Sequence, residues 1–360
     1  MNSKQFTAKA LQVAFLALTI TLFAAAQSIQ VQPPYQMQVF AQGVTGVYTQ
    51  PDSIAVLNGH VFIGFGDGVA KDGTDGKSST IVEYTMDGSV VRTFSVLGHN
   101  DGLKVDPRTK LLWALQNEDG NPSLVTINAT TLEQKQYSFA PTVHGGGYDD
   151  IVFRHGNVYL SASNPSANPN NAPAIVRAEL TGSSVTVTPV FAGNATATDI
   201  LTETPVTLNL QDPDSMITDP VGDIVLDSQD DAELVIVRQP DTAQQNALHI
   251  PLTSPFGTTK VDDTVFATAS DGFILVSDLD ANTVYAIRKH SFAPGAAYSA
   301  GIANGTVGLV GRLDLEFGQL TPIVTGLKNP RGMTFVATPD EDHHHDGAAD
   351  QIEDVCEGLN

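Results

Sequence analysis

The chain has 360 residues, 41% of them hydrophobic, and a formal net charge of −22. A surface this acidic repels nucleic acid and anionic lipid and so excludes those partners. The only cysteine is Cys356, which rules out an intrachain disulfide framework.

Lys4 and Lys9 precede an apolar run from Ala10 to Ala26 that closes on Ala24-Ala25-Ala26. A charged start, an apolar stretch and a small-residue end make residues 1–26 an export signal, with cleavage near Ala26. Cleavage removes two lysines and no acid, so the exported chain is more acidic still. The expectation is a secreted or periplasmic monomer with no membrane segment after cleavage. Asn128, Asn194 and Asn304 stand in glycosylation sequons, which matter only in a eukaryotic host.

From there on the chain reads as short β-strands between Gly, Asn, Asp and Pro. A first group of four covers Ile54–Leu57, His60–Phe65, Thr80–Thr85 and Val90–Val96, with Asn58-Gly59 as a hairpin turn. A second group covers Leu103–Val105, Leu111–Leu115, Ser123–Ile127 and Gln134–Phe139. A third has Ile151–Phe153, Val158–Ser161, Ala174–Glu179 and Val185–Phe191, followed by an extension to Leu210. The fourth has Met216–Thr218, Asp223–Leu226, Glu233–Val237 and Leu248–Leu252. The fifth is assigned Thr264–Ala267, Phe273–Val276, Thr283–Ile287 and the late pair Val307–Phe317 and Pro322–Gly326. Met333–Ala337 opens a sixth group that lacks two strands, with Met37–Ala41 available as a closing strand. The acidic stretch 339–360, which includes His343, His344 and His345, reads as a disordered tail.

Each group opens on the same motif: Pro51-Asp52-Ser53-Ile54, Asn100-Asp101-Gly102-Leu103, Tyr148-Asp149-Asp150-Ile151, Pro213-Asp214-Ser215-Met216, Val261-Asp262-Asp263-Thr264 and Pro330-Arg331-Gly332-Met333. Its second position is Asp52, Asp101, Asp149, Asp214, Asp262 and Arg331, at steps of 49, 48, 65, 48 and 69 residues. Repeats of about 45–50 residues, each of four strands, are the mark of a β-propeller. The predicted fold is an all-β propeller over residues 27–338. It has six inner-strand repeats and an incomplete closing blade, or else five blades with the last motif added on.

Radial symmetry brings the five aspartates and Arg331 to one channel mouth. Carboxylates so gathered need a cation or shared protons. The column Asp52, Asp101, Asp149, Asp214 and Asp262 is therefore a candidate metal site. Its hard oxygen ligands favour Ca²⁺, with Mg²⁺ or Mn²⁺ behind it. Asp149-Asp150, Asp262-Asp263 and Asn117-Glu118-Asp119 supply more acids than turns require, which adds to the metal reading. The competing reading is structural, since an Asp before a strand commonly accepts a backbone N–H two residues on. His99 and His144 flank the mouth as candidate bases, and Arg331 as an anion clamp. Residues 72–78 have the look of a phosphate loop but lack its spacing and its helix, and form a loop over the mouth.

Pro51-Asp52-Ser53-Ile54-Ala55-Val56 and Asn100-Asp101-Gly102-Leu103-Lys104-Val105-Asp106-Pro107 resemble the inner-strand motif of NHL-repeat and gluconolactonase (senescence marker protein) propellers. Paraoxonase-type enzymes share that architecture. The resemblance implies a divalent cation held at the Asp column to polarise an ester and activate water. This chain differs in carrying more Asp than Asn there, and in Arg331. The expected function is metal-dependent hydrolysis of a lactone or other ester-like small molecule. The alternatives are a non-catalytic propeller that binds a peptide, glycan or partner protein, and a metal-dependent lyase of the streptogramin-inactivating type.

Overall fold

The computed structural model describes residues 28–338. The expected export signal and the acidic tail with Cys356 lie outside the described residues. Among those described there are strands, turns and bridges but no helix, and so none long and apolar enough to cross a membrane.

The protein is a β-propeller. Six inner strands, Pro51–Leu57, Asn100–Val105, Ile151–Arg154, Pro213–Thr218, Gly257–Phe266 and Pro330–Ala337, lie side by side in a closed ring. The first four each begin an antiparallel four-stranded blade that follows chain order. Blades two and three also join at their outer edges through a short parallel pairing, Ser138 with Ser184 and Phe139 with Val185. The extension before blade four is a hairpin, Thr196–Asp199 with Pro205–Thr207, added to that blade's outer edge.

The last two blades are interleaved, and here the structure corrects the sequence-based assignment. Gly272–Asp278 and Thr283–Arg288 follow the fifth inner strand in sequence but pair into the sixth blade, beside Pro330–Ala337. Blade five is completed by Ala297–Ala303, Val307–Asp314 and Gln319–Leu327. The closing sheet is therefore not short of strands. Its outermost member is Gln36–Gln42, paired antiparallel with Thr283–Arg288, as expected for Met37–Ala41. Ala297–Ala303 escapes a reading by pattern because its Ala and Gly carry almost no hydrophobic periodicity.

The core is six apolar slabs, one between each pair of neighbouring blades. Strand period explains this: successive side chains point to opposite faces, and in a radial blade both faces meet a neighbour. Ile54 packs towards blade six, whereas Ala55 packs towards blade two. The blade strands are consequently apolar on both faces.

The repeated motif is a β-bulge. Ladder register shifts between Pro51 and Ile54, Asn100 and Leu103, Pro213 and Met216, and Val261 and Asp263. A bulge frees residues from the ladder and re-aims their side chains, here those of the second-position acids. The small third residue has a packing cause. A Cβ on Gly102 would stand 2.1 Å from the Asp149 carbonyl oxygen, and one on Gly332 2.5 Å from that of Asp52. The neighbouring inner strand passes where a side chain would otherwise be.

Candidate functional site

The bulges deliver Asp101, Asp214 and Asp262, all buried, and Asp52, partly buried, to one mouth of the channel, and the segment leading into Ile151–Arg154 brings the buried Asp149 to the same place. None of the five accepts a backbone N–H, so the turn-capping role is not what they perform. Glu118 joins them from the loop after Leu112–Gln116 and is in hydrogen-bonding contact with Asp101 and Asp149. Asp212 stands with them, raised by burial and then by Asp230 and Glu118. Seven carboxylates thus share the mouth with two cations, Lys71 and Arg331.

Burial, then repulsion by neighbouring acids, raises the proton affinities of Asp52, Asp101, Asp149, Asp212 and Asp214. Desolvation, reinforced by Glu118 and Asp52, holds the Asp101 carboxyl well above the usual carboxylate range. Asp149 is raised by burial and then by Asp101 and Asp214, and Asp214 by burial and then by Asp262 and Asp212. Burial and Asp262 push Asp52 up to about 8, against the pull of Arg331. Glu118 is the exception. Burial acts upward on it, but the Lys71 ammonium and hydrogen bonds from Asp149 and Asp101 outweigh that and bring it down to about 2.

His99, Asp101 and Glu118, all buried, offer one ligand atom each within 4.8 Å of one another. The His99 ring lies with Nδ1 3.0 Å from the Val69 carbonyl oxygen. A carbonyl only accepts, so Nδ1 carries the proton and Nε2 keeps a free lone pair. Burial lowers the His99 pKa, and the neutral ring is the ligand form. A Cβ on Gly66 would come 2.7 Å from His99 Cε1, so glycine there makes room for the ring.

Arg331 projects from the sixth bulge, its Nη1 2.5 Å from Asp262 Oδ1. Gln229 Nε2 donates to the same oxygen at 2.6 Å. Arg331 Nε is buried without an acceptor. The structure does not bring His144 into this set. Its Nε2 donates to the Gly147 carbonyl at 2.6 Å, its ring meets Tyr148 edge-on, and no carboxylate acts on it. His144 fastens its own glycine loop.

The doubled acids also need correction. Asp150 and Asp263 are staples between blades rather than members of the mouth. Asp150 Oδ2 accepts Met216 N–H at 2.9 Å, and Asp263 Oδ2 accepts Met333 N–H at 2.7 Å. Each acceptor reaches the next inner strand two residues past its column position. Lys104 lies between them, 3.0 Å from Asp150. Lys104 and Asp263 also border a largely apolar cavity of about 360 Å³, walled by Val56, Pro107, Phe153, Met216, Val265 and Phe335.

No protein-family model matches the chain, and no curated protein is significantly similar to it. Among solved structures it is similar to a protein of unknown function from Bacteroides caccae, at 10% identity over 79% of this chain and 86% of that one, with a TM-score of 0.48. Virginiamycin B lyase from Staphylococcus aureus matches at 12% identity over 85% and 75%, with a TM-score of 0.44. A structural-genomics target named as a gluconolactonase matches at 11% identity over 84% and 83%, with a TM-score of 0.43. What the chain shares with these proteins is the β-propeller fold.

Proposed function

We propose that the acidic channel mouth holds a divalent cation, and that the protein is an exported, cation-dependent hydrolase of a lactone or other ester-like small molecule. The observation that carries this reading is the buried set His99, Asp101 and Glu118, within 4.8 Å of one another beside an excess of buried carboxylates. An unneutralised cluster of this kind is costly, and a cation relieves the cost. The donors fit such an ion: hard carboxylate oxygens suit calcium, and the one imidazole nitrogen admits manganese or zinc as well. When bound, the ion supplies Lewis acidity toward a substrate carbonyl.

The chain's own residues do the remainder. Arg331 Nε, buried and without an acceptor, offers a donor to a substrate oxygen. The Asp52 carboxyl, at about 8 and drawn down by any neighbouring cation, exchanges a proton near neutral pH. His99 belongs with the ligands on this reading, and the base role passes to the column.

Calorimetry with Ca²⁺, Mn²⁺ and Zn²⁺, alongside a panel of lactones and aryl esters, tests both parts. Asp101→Asn is expected to weaken cation binding at least a hundredfold and to abolish turnover. Wild-type protein that binds a cation but hydrolyses nothing on the panel sinks the hydrolase. Absence of binding by all three ions sinks the metal site.

A further inference from the structure

Two cations face the carboxylates, and they are built differently. Arg331 sits on an inner strand, within a bulge, with its side chain 22% exposed. Lys71 comes from a loop, residues 66–77, and its side chain is 50% exposed while it pairs with Glu118 Oε1. Asp101 acts on the same ammonium. Arg331 is part of the ring wall, whereas Lys71 reaches in from solvent on a long flexible stem.

The loop that carries Lys71 is tied to the site at three points. Asp119 N–H donates to the Lys71 carbonyl at 3.1 Å, and Asn121 Nδ2 donates to the Asp72 carbonyl at 3.0 Å. The third tie is His99 Nδ1–H to the Val69 carbonyl. The loop therefore grips the segment just after Glu118 and fixes which His99 nitrogen is free. One segment both supplies a positive charge to the Glu118–Asp101 pair and orients the third ligand.

We infer that Lys71 is the intramolecular counter-cation of this site, and that loop 66–77 is a latch whose ammonium a divalent cation displaces from Glu118. The inference rests on the proposed cation site. An ammonium and a divalent ion cannot share one carboxylate oxygen, because like charges at contact distance repel strongly in a buried setting. Occupancy by one excludes the other. With Lys71 in place the cation-free protein keeps Glu118 neutralised, so the buried cluster survives loss of its ion. When the ion enters, Lys71 swings to solvent.

Lys71→Met tests this with calcium and manganese as the probes. By calorimetry the variant is expected to bind at least tenfold more tightly than wild type. In chelator it melts below wild type, and it gains more from added cation, since a ligand bound only to the native state stabilises it by mass action. Lysyl endopeptidase on wild-type protein gives a readout that needs no variant: cleavage after Lys71 accelerates when calcium is added, measured against cleavage of a reference peptide. Wild type that binds a cation, with Lys71→Met binding no tighter, overturns the latch alone. So does cleavage after Lys71 that ignores bound cation. Absence of binding by both proteins overturns the latch together with the cation site.

Discussion

Asp149 and Asp150 are neighbours in sequence, and so are Asp262 and Asp263, yet each pair divides between two environments. Asp149 points into the mouth, where other acids surround it and no backbone N–H reaches it. Asp150, one residue deeper, accepts a backbone N–H from the next blade and holds Lys104. Asp262 faces Arg331, while Asp263 ties down Met333. A carboxylate with its partners in place fastens a ring, whereas one gathered with its own kind raises the energy of the folded state until a proton or a cation arrives. The same residue type therefore yields opposite predictions one position apart.

The largest separation is in stability. Asp150→Ala deprives the half-buried Lys104 of its ion-pair partner and Met216 N–H of its acceptor, and is expected to cost about 2–4 kcal/mol in urea unfolding. Asp149→Asn removes a repelled charge, and is expected to raise the stability of the cation-free protein at pH 8 while weakening cation binding. Equal losses from the two variants would break the distinction between the layers.

A smaller effect is expected from pH. Asp52, raised to about 8, and Asp212 and Asp263, each raised to about 7, hold their protons in the folded state long after the unfolded chain has released them near pH 4. Between those limits the unfolded chain binds fewer protons, so stability falls as pH rises from about 4 to about 8. Added cation displaces protons, and its stabilising effect grows over the same window. Thermal melts across that range, with chelator and with calcium, check both slopes. A cation-free protein whose stability rises steadily to pH 8 would contradict the protonated state of these three buried acids.

The smallest effect is expected at His144. His144→Ala loses one hydrogen bond to the Gly147 carbonyl, which is worth about 1 kcal/mol, and leaves cation affinity and turnover unchanged. A hundredfold fall in turnover would put His144 back among the reacting groups.

The column was legible in the sequence because a propeller converts a linear repeat into a ring, so positions equivalent in the motif become neighbours in space. Asp52, Asp101, Asp149, Asp214, Asp262 and Arg331 are recovered at one mouth for that reason. Glu118 and Lys71 belong to no repeat and arrive on single loops. The only signals were the oxygen-rich run Asn117-Glu118-Asp119 and the position of residues 72–78 over the mouth. The staple role of Asp150 and Asp263 was hidden because their partners are backbone N–H groups on another blade, which leave no trace in residue type. The interleaving of blades five and six was hidden for a related reason. Gly272–Asp278 follows the fifth inner strand after a short turn, and adjacent strands pair with each other more often than not.

That interleaving has a consequence for how the molecule is made. The sixth blade draws on three remote stretches of chain, Gln36–Gln42, Gly272–Arg288 and Pro330–Ala337, and three strands of the fifth blade are threaded between the last two. The sixth blade lacks its inner strand, and the fifth its neighbour on that side, until Pro330–Ala337 has left the ribosome. Contacts of such long sequence separation form late and slowly. Blades one to four are local and fit to fold as they emerge, while five and six assemble together as one cooperative unit that closes the ring. Arg331 rides on the final strand, so the acidic mouth acquires its wall cation only at that step. A nascent or truncated chain carries the aspartates without it, and Lys71, encoded near the first blade, is the only one of the two mouth cations present from the start.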